Sequence, residues 1–279
     1  MSYKTIAVHL DASLRCAARV ELAIQLARQF EGRLVGIAPT GLPDVIVTMN
    51  SGAPDGLECV ALSAALLKQS AETVAGAFEA QCRRAETAGF ASRIAVEGTL
   101  DALVRHGRCS DLLIVGQTDT ASPIDGVPFD LPQQVLLNAG PPVLVVPYAG
   151  LFAQVGKRVL VAWKDTREAA HALRDALPLL RRAERANLVE VGGVRDEPCL
   201  DDSLQAAAAW LASNQVAFEA HREIDLAGVA EQLLSRASEL GADLIVCGGY
   251  GHSRVREWVL GGVTHHLLEQ MTVPTLFSH

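Results

Sequence analysis

The chain has little of the positive charge on which many charge-driven partners depend. Its 279 residues include 24 Lys and Arg against 32 Asp and Glu, which gives a formal net charge of −8 and a pI near 5.5. Nonspecific binding to nucleic acid or to an anionic membrane needs a basic surface, so the composition argues against both. An anionic small ligand would need a local positive site. Apolar runs are also short, and none approaches the roughly 18 residues of a membrane-spanning helix.

The cysteines are scattered and form no recognisable pattern. The six cysteines are Cys16, Cys59, Cys82, Cys109, Cys199 and Cys247. No two of them form a Cys-x-x-Cys pair, and no histidine lies at metal-ligand spacing from any of them. This excludes the usual zinc motifs and predicts reduced, mostly buried thiols. The opening residues, MSYKTIAVHLD, pass directly into a strand-like run without a charged and apolar leader. We therefore expect a cytoplasmic protein.

An internal repeat dominates the chain. The segment IAVHLDASLRCAARVELAIQLA, from Ile6, aligns with VLVAWKDTREAAHALRDALPLL, from Val159, at an offset of 153 residues. Near the ends of the halves, SDLLIVGQ from Ser110 matches ADLIVCGG from Ala242, and PPVLVVP matches VPTLFSH, both at an offset of 132. The first half therefore carries about 21 extra residues, which we place around 39–61.

Each half alternates apolar strands with amphipathic helices, which predicts parallel sheets covered on both faces. We expect two doubly wound α/β domains of five strands each, at 1–149 and 156–279. Among the predicted elements are a loop over 39–56, a helix over 61–88 and a single helix over 167–182. In sheets of this type, ligands bind at the carboxyl ends of the strands where the winding direction reverses.

The residues from Asp243 to Thr264 carry the strongest indication of function. They read DLIVCGGYGHSRVREWVLGGVT: a strand, a loop opened by Gly248 and Gly251, and a helix start preceded by a glycine pair. Glycines let backbone N–H groups approach a ligand, and a helix start presents unpaired N–H groups with a partial positive charge. This combination binds phosphate. The spacing fits neither a P-loop nor the dinucleotide fingerprint.

The spacing Gly248-x-x-Gly251, nine residues, Gly261 and a small residue resembles the nucleotide motif of the universal stress protein family. The resemblance covers nearly the whole chain as a tandem of two such domains, with the motif only in the second. It implies the strand order 3-2-1-4-5 and a bound adenine nucleotide, ATP or a relative, with or without Mg²⁺. Gly262 stands where the family has its first hydroxyl, whereas Thr264 matches the second.

The resemblance implies a site built from strand ends, the glycine loop and a helix start. Its expected members are Gly248, Gly251, His252, Arg254, Gly261, Gly262, Val263, Thr264, Lys164, Asp165 and Val191. Lys164 replaces the Asp that the family typically has at the adenosine site, and Asp165 is a candidate substitute for that carboxylate. The backbone near Val191 would hold the adenine.

Simpler interpretations of these residues stay open. Lys164 also fits an exposed loop charge, and Asp165 or Thr166 fits the N-cap of the helix that follows. His252 and Arg254 also fit an exposed loop. Cys247 ends a buried strand, which favours a packing role over reactivity.

The first half lacks the motif. At an offset of 132, the last three motif positions of the second half, 261, 262 and 264, become Phe129, Asp130 and Pro132, and Gly251 becomes Asp119. Carboxylates would repel phosphate there, so we predict that this loop binds none. The first half nevertheless keeps Asp11 at the family's adenosine position, followed by Ala and Ser.

The resulting hypothesis is a stress-response protein that binds an adenine nucleotide in its second half, without dedicated catalysis beyond incidental slow ATP hydrolysis. The first half would be a degenerate partner. The final strand, at 273–277, resembles the family's dimerisation strand, so we expect the halves or two chains to pair. One alternative is a nucleotide-free interaction module. The other, an ATP pyrophosphatase, usually has a Ser-Gly-Gly-x-Asp-Ser loop, which neither DASLR nor KDTRE resembles.

Overall fold

The chain forms two compact units, residues 2–141 and 142–279. The computed structural model describes residues 2–40, 54–124, 127–152, 154–192, 202–226, 228–250 and 262–279, and in the helix that begins at Pro54 it describes side chains from residue 62 onward. Each unit combines one sheet with helices, as the alternating pattern of the sequence predicts.

The unit 2–141 contains a parallel sheet with the strand order β3-β2-β1-β4. Its elements in chain order are β1 (Thr5–His9), α1 (Cys16–Phe30), β2 (Arg33–Pro39), α2 (Pro54–Arg84), β3 (Phe90–Ala95), α3 (Thr99–Gly107), β4 (Leu112–Gly116) and α4 (Leu131–Asn138). The direction of winding reverses at β1, so the carboxyl ends of β1 and β4 flank the expected ligand crevice of this unit.

The unit 142–279 contains a sheet with the order β5-β10-β9-β6-β7-β8. Its elements are β5 (Val143–Val146), β6 (Arg158–Trp163), α5 (Arg167–Asp175), α6 (Leu177–Leu180), β7 (Arg185–Gly192), α7 (Asp202–Ser213), β8 (Phe218–Ile224), α8 (Val229–Glu239), β9 (Leu244–Gly248), α9 (Gly262–Gln270) and β10 (Thr275–Ser278). Counted from β6, five parallel strands follow the order 3-2-1-4-5, which confirms the doubly wound α/β prediction. β5 adds to β10 as an antiparallel strand.

The central strands are buried because almost every side chain on them is apolar. Leu244, Ile245 and Val246 of β9 are fully buried, as are Leu112, Leu113 and Ile114 of β4. Helices cover both faces of such a strand, so it needs no polar face. The uniform apolar runs thereby set the sheet centre and leave the chemistry to the strand ends.

An aspartate at the start of the fourth strand performs the same structural task in both halves. Asp111 accepts hydrogen bonds from the backbone N–H groups of Lys4 and Thr5, at 2.7 and 2.8 Å. Asp243 accepts bonds from the N–H groups of residues 156–158, at 2.8 to 3.2 Å. Both contacts fix the beginning of the first strand against the fourth. Asp111 and Asp243 are related by the offset of 132, and the N–H groups they bind, at residues 4–5 and 157–158, are related by the offset of 153. Both sequence alignments of the repeat therefore match equivalent positions in the structure.

Two sequence predictions of helix boundaries are wrong. The single helix expected over 167–182 breaks at Ala176 into α5 and α6. Pro178 explains the break, because it has no N–H to donate to the carbonyl of residue 174 and its ring would clash there. The long helix α2 begins at Pro54 and not near residue 61. Proline is tolerated in a first helical turn, so Pro54 starts the helix and does not exclude it.

Candidate functional site

Three of the predicted site residues meet at the carboxyl edge of the second sheet. β6 lies between β9 and β7, with Ala162 paired to Cys247 and Trp163 paired to Glu190. The next residues along the three strands are Lys164, Val191 and Gly248. The structure therefore places these three at one carboxyl edge of the sheet, with the reversal of strand order between β6 and β9.

Thr264 connects the helix start to the glycine loop. Its hydroxyl oxygen accepts a hydrogen bond from the backbone N–H of Tyr250, at 3.2 Å, and the residue is only 4% exposed. Tyr250 has a left-handed backbone, with φ of 51°, which turns the chain immediately after β9. Gly262 and Val263 form the first turn of α9 beside this bond. Thr264 thus holds the first described residues of the loop against the amino end of α9.

Gly248 is required by packing. A Cβ atom at this position would lie 2.5 Å from the backbone nitrogen of Ala169 and 2.7 Å from the backbone carbon of Glu168. Both atoms belong to the first turn of α5, which therefore rests directly on the end of β9. A side chain here would have to displace helix backbone, because nothing flexible could yield. The glycine is explained without any ligand.

The turn between β6 and α5 leaves two charged residues in solvent. Thr166 is the N-cap of α5, and its hydroxyl oxygen accepts from the N–H of Ala169 at 3.2 Å. Of the two candidate caps, the structure therefore uses Thr166. Lys164 and Asp165 are both exposed. They remain available to a ligand at the end of β6.

Histidine 279 also lies at this edge, which the sequence analysis did not predict. Its ring nitrogen Nδ1 is 3.1 Å from the carbonyl oxygen of Gly249, and Gly249 donates its own N–H to the carbonyl of Ser278 at 2.8 Å. Parallel pairing of β9 and β10 explains the contact, since it brings both carboxyl ends to one edge. The predicted strand order already makes these two strands neighbours, and this is the signal from which the contact could have been found.

The other predicted site residues, Gly251, His252, Arg254 and Gly261, lie outside the described residues. Cys247, which precedes Gly248, is buried, and burial raises the pKa of its thiol to about 12. A thiol with such a pKa stays protonated at neutral pH and is a poor nucleophile. Its role at this edge is packing.

The equivalent edge of the first half contains a buried cluster of charges. Asp11, which follows β1, pairs with Arg19 of α1 at 2.7 Å and lies 3.5 Å from Nδ1 of His9. Ser13 donates to the second carboxylate oxygen from its backbone N–H at 3.0 Å and from its hydroxyl at 2.5 Å. The side chains of His9, Asp11 and Arg19 are all less than 8% exposed. The carboxylate is therefore enclosed by donors from the protein itself.

Burial and charge fix the protonation states of this cluster. Burial lowers the pKa of His9 to about 4, partly opposed by the nearby Asp11 carboxylate and reinforced by Arg19, so the imidazole is neutral at pH 7. Burial works against ionisation of Asp11. The Arg19 guanidinium, followed by His9 and the bonds from Ser13, nevertheless holds the pKa of Asp11 below its ordinary value. The cluster is an ion pair beside a neutral histidine.

The loop after β4 also differs from the glycine loop of the second half. The Thr118 hydroxyl donates to the carbonyl oxygen of Phe129 at 2.6 Å, which ties the two ends of the loop together. Asp119 accepts a bond from the N–H of Ala121 at 3.0 Å. A backbone N–H group of this loop therefore already donates to a carboxylate of the protein, whereas in a glycine loop such groups are available to a phosphate. This arrangement agrees with the prediction that the first-half loop binds no phosphate, which stays a prediction.

Two classes of feature are absent from the described part of the chain. Within it, no three His, Cys, Asp or Glu side chains are grouped so that they could hold a metal ion. None of its helices combines the length and the apolar character that crossing a membrane would require.

Comparison with known sequences finds a family match over the second half. Residues 156–279 match the model of the Universal stress protein family. A curated relative, the universal stress protein Slr1230 of Synechocystis, is 33% identical over 91 residues, which cover 32% of this chain and 31% of that protein. The chain therefore matches less than a third of the length of that relative.

Solved structures extend the likeness to the whole chain at the level of fold. A universal stress protein from Archaeoglobus fulgidus has a TM-score of 0.73 at 14% identity, over 100% of this chain and 99% of that one. A functionally unknown protein of Pseudomonas aeruginosa has a TM-score of 0.63 at 15% identity, over 99% of this chain and 92% of that one. At such identities the likeness establishes the fold alone.

Proposed function

From the match of residues 156–279 to the universal stress protein family model, we propose that the carboxy-terminal half of this chain belongs to that family and binds ATP or a related adenine nucleotide. The proposed role is regulatory, in a cytoplasmic stress response, without dedicated catalysis. The phosphates would lie on the loop between Gly248 and Thr264, with Mg²⁺ entering on the phosphates.

The observation that supports the proposal most is the convergence at the edge of the second sheet. Lys164 follows β6, and Val191 and Gly248 lie at the carboxyl ends of the neighbouring strands β7 and β9, at the edge where doubly wound sheets bind ligands. The bond from Tyr250 to Thr264 brings the helix start α9 to the same place. Unpaired N–H groups of that first turn add partial positive charge for an anion.

The charged residues after β6 give the nucleotide two further partners. Lys164 provides a point charge that pairs with a phosphate, and it cannot accept a hydrogen bond from a ribose hydroxyl. Asp165 can accept such a bond, and both side chains are exposed. We assign the phosphate side of the ligand to Lys164 and the ribose side to Asp165. This division replaces the single acid of the family.

Replacing loop glycines by the first-half residues at the same positions tests the site. Gly251→Asp and Gly261→Phe should abolish the rise in melting temperature that ATP produces in the wild type, because a ligand that binds only the native state stabilises it. Thermal unfolding with and without ATP measures this, and calorimetric titration gives the affinity. Gly140→Asp is the matched control for Gly251→Asp, since a Cβ at Gly140 meets no atom within 4 Å in the described ranges of the chain.

The outcomes separate the proposal from its alternative. An ATP shift that survives in both loop variants would show that the nucleotide binds elsewhere. No shift in the wild type, together with no small molecule released on denaturation, would favour the nucleotide-free interaction module. Gly248 is unsuitable for this test, because any side chain there disturbs α5 with or without ligand.

Restoring the missing hydroxyl should strengthen binding. A Cβ at Gly262 meets no atom of the described residues within 4 Å, so nothing in that part of the chain opposes Gly262→Ser. A hydroxyl donating to a charged phosphate contributes about 1.5 kcal/mol, so the Kd for ATP should fall about tenfold. Gly262→Ala is the control for the helix-forming effect of any side chain at this position. Equal affinities of the Ser and Ala variants would contradict the prediction.

A further inference from the structure

The first half has a side chain at the place where its ligand would bind. The Arg19 guanidinium donates from Nε to the carbonyl oxygen of His9, the last residue of β1, at 2.9 Å. Its Nη1 is the nearest atom to the position that a Cβ on Gly116, the last residue of β4, would occupy. β1 and β4 are neighbours in the sheet. The guanidinium therefore bridges the two strand ends that flank the reversal point.

Asp11, the acid expected to recognise a nucleoside, has partners from the protein on both of its carboxylate oxygens. One carboxylate oxygen of Asp11 contacts Arg19 and His9, and the other receives both donors of Ser13. The side chain is 7% exposed. A ribose hydroxyl could reach this carboxylate only after Arg19 had left. Asp11 has become the counter-ion of Arg19.

The second half lacks every member of the cluster. At the offset of 153, the positions of His9, Asp11 and Arg19 are held by Ala162, Lys164 and Ala172. Ala172 is buried, as Arg19 is, but it has no group that extends to the strand ends. The two halves thus share the backbone arrangement and differ in what fills the reversal point. A substitution that removes Arg19 copies the second half.

We propose that Arg19, anchored by Asp11, plugs the crevice of the first half from inside and is the residue that excludes nucleosides from it. The loop carboxylates repel phosphate, whereas Arg19 occupies the nucleoside position itself. The plug is independent of whether the second half binds a nucleotide. It predicts that a phosphate-free nucleoside gains access to the first half once the guanidinium is gone.

Adenosine binding to the full-length chain tests the plug. Arg19→Ala and the double variant Asp11→Asn with Arg19→Ala should each bind one more equivalent of adenosine than the wild type, measured by equilibrium dialysis. In the double variant, the amide oxygen of the new asparagine can accept a hydrogen bond from a ribose hydroxyl, and no buried charge is left without a partner. Arg15→Ala, an exposed arginine one turn before Arg19, should bind as the wild type does.

A photolabel identifies the half that binds. Azidoadenosine should label peptides from residues 2–141 in the two variants and not in the wild type. Unchanged stoichiometry in a variant that retains native circular dichroism would overturn the proposal. So would labelling of residues 2–141 in the wild type, a measurement that holds even if neither variant folds.

Discussion

Arg19→Ala is expected to lower the free energy of unfolding of the unit 2–141 by about 3–5 kcal/mol, because it leaves Asp11 buried without its partner. The substitution also removes the bond to the His9 carbonyl. Urea unfolding measures the loss, and hydrogen exchange of the β1 amides assigns it to this unit. Arg15→Ala, in the same segment but exposed, should change stability by no more than about 0.5 kcal/mol.

The pairing with Asp11 can be separated from the packing of the arginine side chain. Adding Asp11→Asn to Arg19→Ala removes the stranded charge, so the double variant should be more stable than Arg19→Ala alone. The two substitutions should couple by more than about 1 kcal/mol, as expected for residues in contact. A cost of Arg19→Ala below about 1 kcal/mol, or strict additivity, would mean that the buried pair contributes nothing.

Acidification from pH 6.5 to pH 4 is expected to cost the same unit about 3 kcal/mol through His9. The folded-state pKa of His9, about 4, lies below the ordinary value of 6.5. Between these pH values, His9 binds a proton in the unfolded chain but stays neutral in the native state, so the free energy of unfolding decreases as the pH falls. Asp11 adds little in this window, because its folded-state pKa is lowered and the loss of its stabilisation begins only near its ordinary pKa of 3.8 and continues into stronger acid.

Histidine replacement isolates this effect. His9→Gln removes the titrating group, so its urea-unfolding free energy should fall by about 3 kcal/mol less than that of the wild type over the same pH range. His265→Gln serves as the control, because its imidazole is 45% exposed and lies in the other unit. Parallel pH profiles for the wild type and His9→Gln would show that His9 is not buried as a neutral group.

The architecture was predictable because it depends on repeated local patterns. Apolar runs such as Leu244 to Cys247 set the strands, and two alignments of the repeat set the order of elements. The break at Ala176 was missed although Pro178 signals it, because the Ala/Leu stripe continues on both sides. Local backbone chemistry prevailed there over hydrophobic periodicity.

The charged cluster was not predictable from spacing. His9, Asp11 and Arg19 belong to a strand, a turn and a helix, and only packing of α1 on the sheet brings them together. Arg19 shares the buried face of α1 with residues such as Leu22 and Ala23, where a charge is unexpected. The internal repeat offered one indication, since the equivalent residue of the second half is Ala172.

The antiparallel bond between β5 and β10 has a consequence for dissecting the molecule. Thr275, Leu276 and Phe277 pair with Val145, Leu144 and Val143, so β5 supplies the outermost ladder of the second sheet. A fragment that starts at 156 would lack β5 and would leave β10 as an exposed edge strand with unpaired backbone groups. Such an edge promotes aggregation or strand exchange with another copy. A fragment that starts at Pro142 would keep β5 on β10 and corresponds to the compact unit 142–279, so it is the better fragment for measuring what this half binds.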